Sequence, residues 1–73
     1  VIVVKLRDVM RDYELRTGEK LTYPELARRT GLGRATIEAL GSRPTYNTTL
    51  GTIDKLCSAL ECSINDLLEF RPE

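Results

Sequence analysis

Residues 25–40, "ELARRTGLGRATIEAL", constrain the fold more than any other stretch. Two short helical patterns meet at Gly31-Leu32-Gly33. Neither reaches the roughly 12–15 residues at which an isolated helix becomes even marginally stable in water, so each must be held by packing. The second, "RATIEAL", has two unlike sides at about 100° per residue. Thr36, Ile37 and Leu40 gather on one side, and Arg34, Ala35, Glu38 and Ala39 lie on the other. The first side is a narrow anchor into a core. The second sets a long cation beside two very small residues, which suits a helix lying close against another surface. A solvated surface helix with ordinary alanines is the plainer reading of the same geometry.

The flanking sequence supplies the elements such a pair needs. Leu6, Val9, Met10 and Tyr13 recur at helical spacing and predict a first amphipathic helix over about residues 5–16, stopped by Gly18. "LTYPELARRTG" carries a complete start signal: Thr22 as cap, Glu25 three residues on to close a capping box, and Leu21 with Leu26 as a hydrophobic staple. Pro24 is tolerated because first-turn N–H groups have no intrahelical partner. Gly31 ends that helix, Gly33 opens the next, and Gly41 is expected to end it, ahead of the loop "GSRPTYNTT". In "TLGTIDKLCSAL", Leu50, Ile53, Leu56, Cys57 and Leu60 share a face, and "SINDLLEF" has a capping box at Ser63 and Asp66 with Ile64, Leu67 and Leu68 as its stripe. The predicted class is all-α, a compact five-helix bundle. "VIVV" and "LEF" favour extended structure when no helix claims them, so a short β pairing of the ends, within one chain or between two, stands beside frayed termini packed on the core.

At 73 residues the chain is read as one domain, residues 1–73, because a chain this size buries only about 60% of its unfolded surface. It leaves no room for a small-molecule effector domain. No apolar run approaches the roughly 18–20 residues that span a bilayer, which makes a cytoplasmic protein with no membrane partner the expectation. Cys57 and Cys62 without any histidine do not compose a zinc site, and Cys57 falls on an apolar helix face, so neither metal nor cofactor is expected. Eleven basic and eleven acidic residues give zero net charge, a mild argument against nucleic acid. Distribution softens it: residues 1–45 hold nine basic and six acidic groups, residues 46–73 two and five. Between positions 28 and 43, Arg28, Arg29, Arg34 and Arg43 meet only Glu38.

"LTYPELARRTGLGRATIEAL" resembles the helix-turn-helix of the Cro/C1-type (phage repressor-like, XRE) DNA-binding family. Leu26, Ala27, Gly31, Ile37 and Leu40 occupy that motif's positions, and "TLGTIDKLCSALECSINDLLEF" is similar to the family's fourth and fifth helices. The resemblance covers nearly the whole chain and places the helix-turn-helix at about 22–41. Each position has a physical reason: a larger residue than Ala27 would part the helices, Gly31 supplies a left-handed turn, and Ile37 and Leu40 hold the second helix down. The resemblance implies base contacts from Arg34, Ala35, Thr36, Glu38 and Ala39, and phosphate contacts from Thr22, Tyr23, Ser42, Arg43, Thr45, Tyr46 and Asn47. It implies double-stranded DNA and a homodimer as partners. Three residues depart from the pattern: Tyr23 replaces a common glutamine, Gly33 a Ser or Thr cap, and Glu61 the usual glycine. A left-handed Glu61 carries strain of order 1 kcal/mol.

The leading reading is therefore sequence-specific duplex binding by a transcriptional regulator, most simply a repressor, with the helix at 34–40 in the major groove. One helix with one strong base contact discriminates by about 1–3 kcal/mol, too little against a genome of competitors, which is why two copies are needed. The alternative is a protein-interaction or antitoxin-like module with weak DNA binding, favoured by the neutral charge. An enzyme is the poorest reading. Asp8 with Asp12, or Asp66 with Glu69, has the spacing of an ordinary solvated helix face, and no nucleophile, base and pocket combine.

Overall fold

The structure, a computed structural model, describes residues 1–72. Strand β1 (Ile2–Val4) leads into α1 (Leu6–Thr17), followed by α2 (Tyr23–Thr30), α3 (Arg34–Ser42), α4 (Leu50–Leu60), α5 (Ile64–Leu67) and strand β2 (Leu68–Phe70). Three of the helices, α2, α4 and α5, begin at capping side chains, and three, α1, α2 and α4, stop where the backbone turns left-handed. Gly18 and Gly31 close α1 and α2 at φ 75° and 74°, a region glycine enters without steric cost. Thr22, Thr49 and Ser63 cap α2, α4 and α5, each accepting the N–H three residues on. The helices surround Leu6, Leu26, Ile37, Leu40, Leu56, Leu60 and Leu67, all fully buried, with Val4, Val9, Tyr13, Leu21, Ala27 and Ile53 completing the core. Both residues of the expected staple, Leu21 and Leu26, are inside it.

The chain ends do pair, and within one chain: β1 and β2 run antiparallel with Ile2 opposite Phe70, Val3 opposite Glu69 and Val4 opposite Leu68. This pairing shortens the fifth helix. α5 keeps only four residues, because Leu68 leaves the helix to join β2, and Ile64 is exposed instead of lining a stripe. Leu50 is also outside the core, 81% exposed, because it is the first residue of α4 and lies ahead of the turn where that helix meets the core at Ile53. Cys57 and Cys62 are half-buried free thiols packed against the core. Burial, with Cys57 adjacent, pushes the Cys62 thiol up to about 11.

The capping box at Thr22 is only half made. Thr22 Oγ1 accepts from Glu25 N–H at 3.3 Å, but the Glu25 carboxylate turns to Arg28 and to Arg29, whose Nε donates to it at 3.1 Å. Charge-assisted bonds to guanidinium outcompete a bond from a neutral backbone N–H. Arg29 also donates to Glu19 at 2.9 Å and to the Tyr13 hydroxyl at 3.2 Å, tying α2 to the end of α1. The box at Ser63 and Asp66 has no such competitor and is complete. Glu61 ends α4 at φ 51°, ψ 48°, in the left-handed region.

Two consequences can be measured. Glu61→Gly removes the left-handed penalty and should stabilise the fold by about 1 kcal/mol, raising Tm by about 4–8 °C in a thermal melt. The hydrogen bonds from Arg28 and Arg29 pull the Glu25 carboxyl down to about 2. A carboxyl depressed in this way contributes stability that is complete above its unfolded value of about 4.3 and lost as pH falls through the folded value. Tm of the native chain should therefore drop as pH falls from about 4.3 toward 2, and Glu25→Gln should make that decline shallower. An unchanged slope would mean that the Glu25 pairs form equally well in the unfolded chain.

Candidate nucleic-acid interface

The placement of α3 follows from its two buried residues. Ile37 and Leu40 are sealed in the core at 0% and 1% exposure, and the left-handed Gly31 followed by extended Gly33 turns the chain sharply out of α2 into this helix. With that face fixed, Arg34, Ala35 and Glu38 are exposed, and Thr36 and Ala39 sit half-buried along its borders. The division of residues around the helix is as the sequence predicts.

Arg34 Nη2 lies 3.8 Å from Glu38 Oε1, beyond hydrogen-bond length, and both side chains are more than half exposed. An exposed i, i+4 pair of this kind contributes only a few tenths of a kcal/mol, so Arg34 remains free to leave it for a better partner. Ala35 adds no bulk beside it. Gly33 offers no side-chain cap, so the first N–H groups of α3 receive no acceptor from it.

Tyr23 and Gly41 form a contact that the sequence pattern does not announce. Gly41 does not stop the helix: α3 continues through it to Ser42, and Gly41 is buried. A Cβ at Gly41 would lie 2.1 Å from Tyr23 Oη and 2.7 Å from Cζ. The glycine is there for close approach of the Tyr23 ring. The only sequence signal is its position inside a helical run, three residues before Pro44, which reads more simply as a helix end. The contact brings the first residue of α2 against the last turn of α3, so Tyr23 stands near Ser42 and Arg43. Ser42 is itself helical and not part of the loop.

The loop after α3 is well tied. The Arg43 guanidinium lies over the Tyr46 ring, 5.0 Å from its centroid, and Tyr46 N–H donates to Arg43 O at 2.8 Å. Val4 N–H donates to Pro44 O at 2.8 Å, fastening the loop to β1. Thr45 and Asn47 are exposed along it, as is Thr22, whose hydroxyl accepts a bond at the start of α2 and still has its own hydrogen to donate.

Electrostatically the face is thinner than four arginines imply. Arg28 is paired with Glu25, and Arg29 with Glu25 and Glu19, whose carboxyls the same contacts hold below their ordinary values. Arg43 has no carboxylate partner among the described residues, and Arg34 has only the loose, exposed pair with Glu38 at 3.8 Å. Among the described residues no His, Cys, Asp and Glu side chains cluster as metal ligands, and no helix is long and apolar enough to cross a membrane.

Comparison with known proteins agrees with this architecture. Residues 5–73 match the family described as the Cro/C1-type HTH DNA-binding domain. The chain is also 33% identical over 54 residues to an uncharacterized HTH-type transcriptional regulator, YozG, of Bacillus subtilis (strain 168). That alignment takes in 74% of this chain, and the chain spans 64% of the relative's own length. With α2 and α3 hinged at Gly31, five helices around one core and the family match running from residue 5 to residue 73, the chain belongs to the Cro/C1-type family of helix-turn-helix DNA-binding domains.

Proposed function

We propose that the protein is a transcriptional regulator, most simply a repressor, that binds a specific duplex site as a homodimer with α3 in the major groove. The observation that carries this reading is the outer face of α3, where an available guanidinium stands beside an exposed alanine on a helix anchored from behind. An arginine in that setting matches the acceptors O6 and N7 of guanine in bidentate fashion, and small neighbours permit the approach. Arg34 is then the principal base contact. Ala35, Thr36 and Ala39 meet base edges or thymine methyl groups, and Glu38 accepts from a cytosine amino group or holds Arg34 in place. Thr22, Tyr23, Ser42, Arg43, Thr45, Tyr46 and Asn47 serve as the phosphate contacts, which position the protein without reading sequence. The name of the Bacillus subtilis relative, a transcriptional regulator, supports the regulatory part.

One observation favours a second reading, a protein-interaction module: two of the four arginines near the motif are already neutralised by Glu19 and Glu25. Selection from a random duplex pool at about 150 mM salt separates the two readings, since affinity depends steeply on salt. An enriched inverted repeat is expected. Arg34→Ala should cost about 1–3 kcal/mol and blur one base position in each half-site. Arg43→Ala should weaken binding to all sequences alike and lower the salt slope by about one. No enrichment by folded protein overturns the DNA reading in favour of the interaction module.

A further inference from the structure

Arg7 stands at the start of α1 with nothing acidic to pair with. One helical turn ahead it meets Met10 and Arg11, and one turn back the chain is already strand β1, so helical spacing offers it no carboxylate. The adjacent Asp8 is taken by Arg11 at 3.6 Å. Among the described residues no carboxylate lies within ion-pair distance of the Arg7 guanidinium. Leu6 beside it is sealed in the core, which fixes the azimuth of the helix and holds Arg7 exposed.

The same side chain lines a surface cavity of about 370 Å³ together with Lys5, Asp8, Gly41, Pro44 and Thr45. The opposite wall is therefore the end of α3 and the loop beyond it. The Tyr23 hydroxyl lies against Gly41, and Thr45 is exposed on the loop. Val4 N–H, bonded to Pro44 O at 2.8 Å, holds the start of α1 to that loop. The other cations of the cavity are engaged. Arg71 pairs with Glu69 at 2.7 Å, and half-buried Lys5 lies close to the carboxylates of Asp66 and Glu69.

We propose that Arg7 is a further contact to the duplex backbone, carrying the row of phosphate contacts from Tyr23, Ser42 and Thr45 onto α1. The contact deepens the DNA binding proposed above and rests on that reading. A guanidinium presents two parallel N–H donors that match two phosphate oxygens. Arg7 gives up no ion pair to make this contact, whereas Arg28 and Arg29 would have to leave Glu25 and Glu19. Asp8 on the same wall works against a free anion in the cavity. A phosphate carried by a duplex already docked on α2 and α3 arrives at high effective concentration and overcomes that opposition. Such a contact positions the protein and reads no sequence. α1, otherwise a scaffold helix, thereby becomes part of the interface.

Fluorescence anisotropy on a labelled random-sequence duplex, titrated between about 50 and 200 mM salt, tests it. Arg7→Ala should weaken binding about tenfold and lower the slope of log affinity against log salt by about one for each bound chain. Arg7→Lys keeps the charge and should recover most of the slope. Lys55→Ala removes an equally unpaired cation from α4, outside the cavity, and should leave affinity and slope near native. Because Arg7 is exposed, the circular dichroism melt of Arg7→Ala should superimpose on the native one, which separates a lost contact from a lost fold. Native affinity and slope in Arg7→Ala overturn the proposal, and the DNA reading survives that result wherever Arg43→Ala still lowers the slope. Equal losses in Arg7→Ala and Lys55→Ala also overturn it, since total charge would then be the cause. A native chain that binds no duplex overturns both this contact and the DNA reading.

Discussion

The burial of Ile37 and Leu40 is the contact on which the rest depends. α3 is nine residues long, too short to persist by its own hydrogen bonds, and these two side chains insert it into a core to which β1, α1, α2, α4 and α5 also contribute. Once they are fixed, the azimuth of every other residue on the helix follows, and Arg34, Ala35 and Glu38 have only solvent to face. A surface helix held by a broader apolar stripe would bury the residues now free to meet a ligand. The economy of the anchor and the exposure of the opposite face are one property.

The contacts around this anchor work by close approach and local charge. Tyr23 lies on Gly41, which keeps the start of α2 and the end of α3 together, and Pro44 accepts from Val4, which ties the loop beyond α3 to β1. Glu25 and Glu19 hold Arg28 and Arg29 close to the body of α2 and α1. The consequence is a division of labour among like residues. Two arginines brace the scaffold, and two, Arg34 and Arg43, keep their charge available at the face where α3 and its following loop are exposed. The sum over the chain is zero, yet no part of that face needs to be neutral.

Much of this was legible in the residues because the signals are local. Gly18 and Gly31 stop helices where the backbone needs a positive φ, Thr22 and Ser63 start them, and the staple of Leu21 and Leu26 is buried as its spacing predicts. Glu61 takes the left-handed conformation that its position after α4 implies. Other signals were ambiguous. Leu50 matches the periodicity of α4 but lies a turn ahead of its contact with the core, and periodicity carries no information about where a neighbour ends. Gly41 has the look of a helix stop, and only the ring packed on it distinguishes close approach from termination.

Helix identity, helix order and the two-sided character of α3 were determined by the sequence alone, since capping, turn formation and amphipathic spacing act over three or four residues. The tertiary structure decided what depends on groups far apart in the chain. It set β1 against β2 across nearly the full length, cutting α5 short at Leu67. It also brought Arg29 to the Glu19 carboxylate and to the hydroxyl of Tyr13, sixteen residues back on α1. Contacts of this kind are settled by which groups the fold brings within reach, and spacing along one helix does not reveal them.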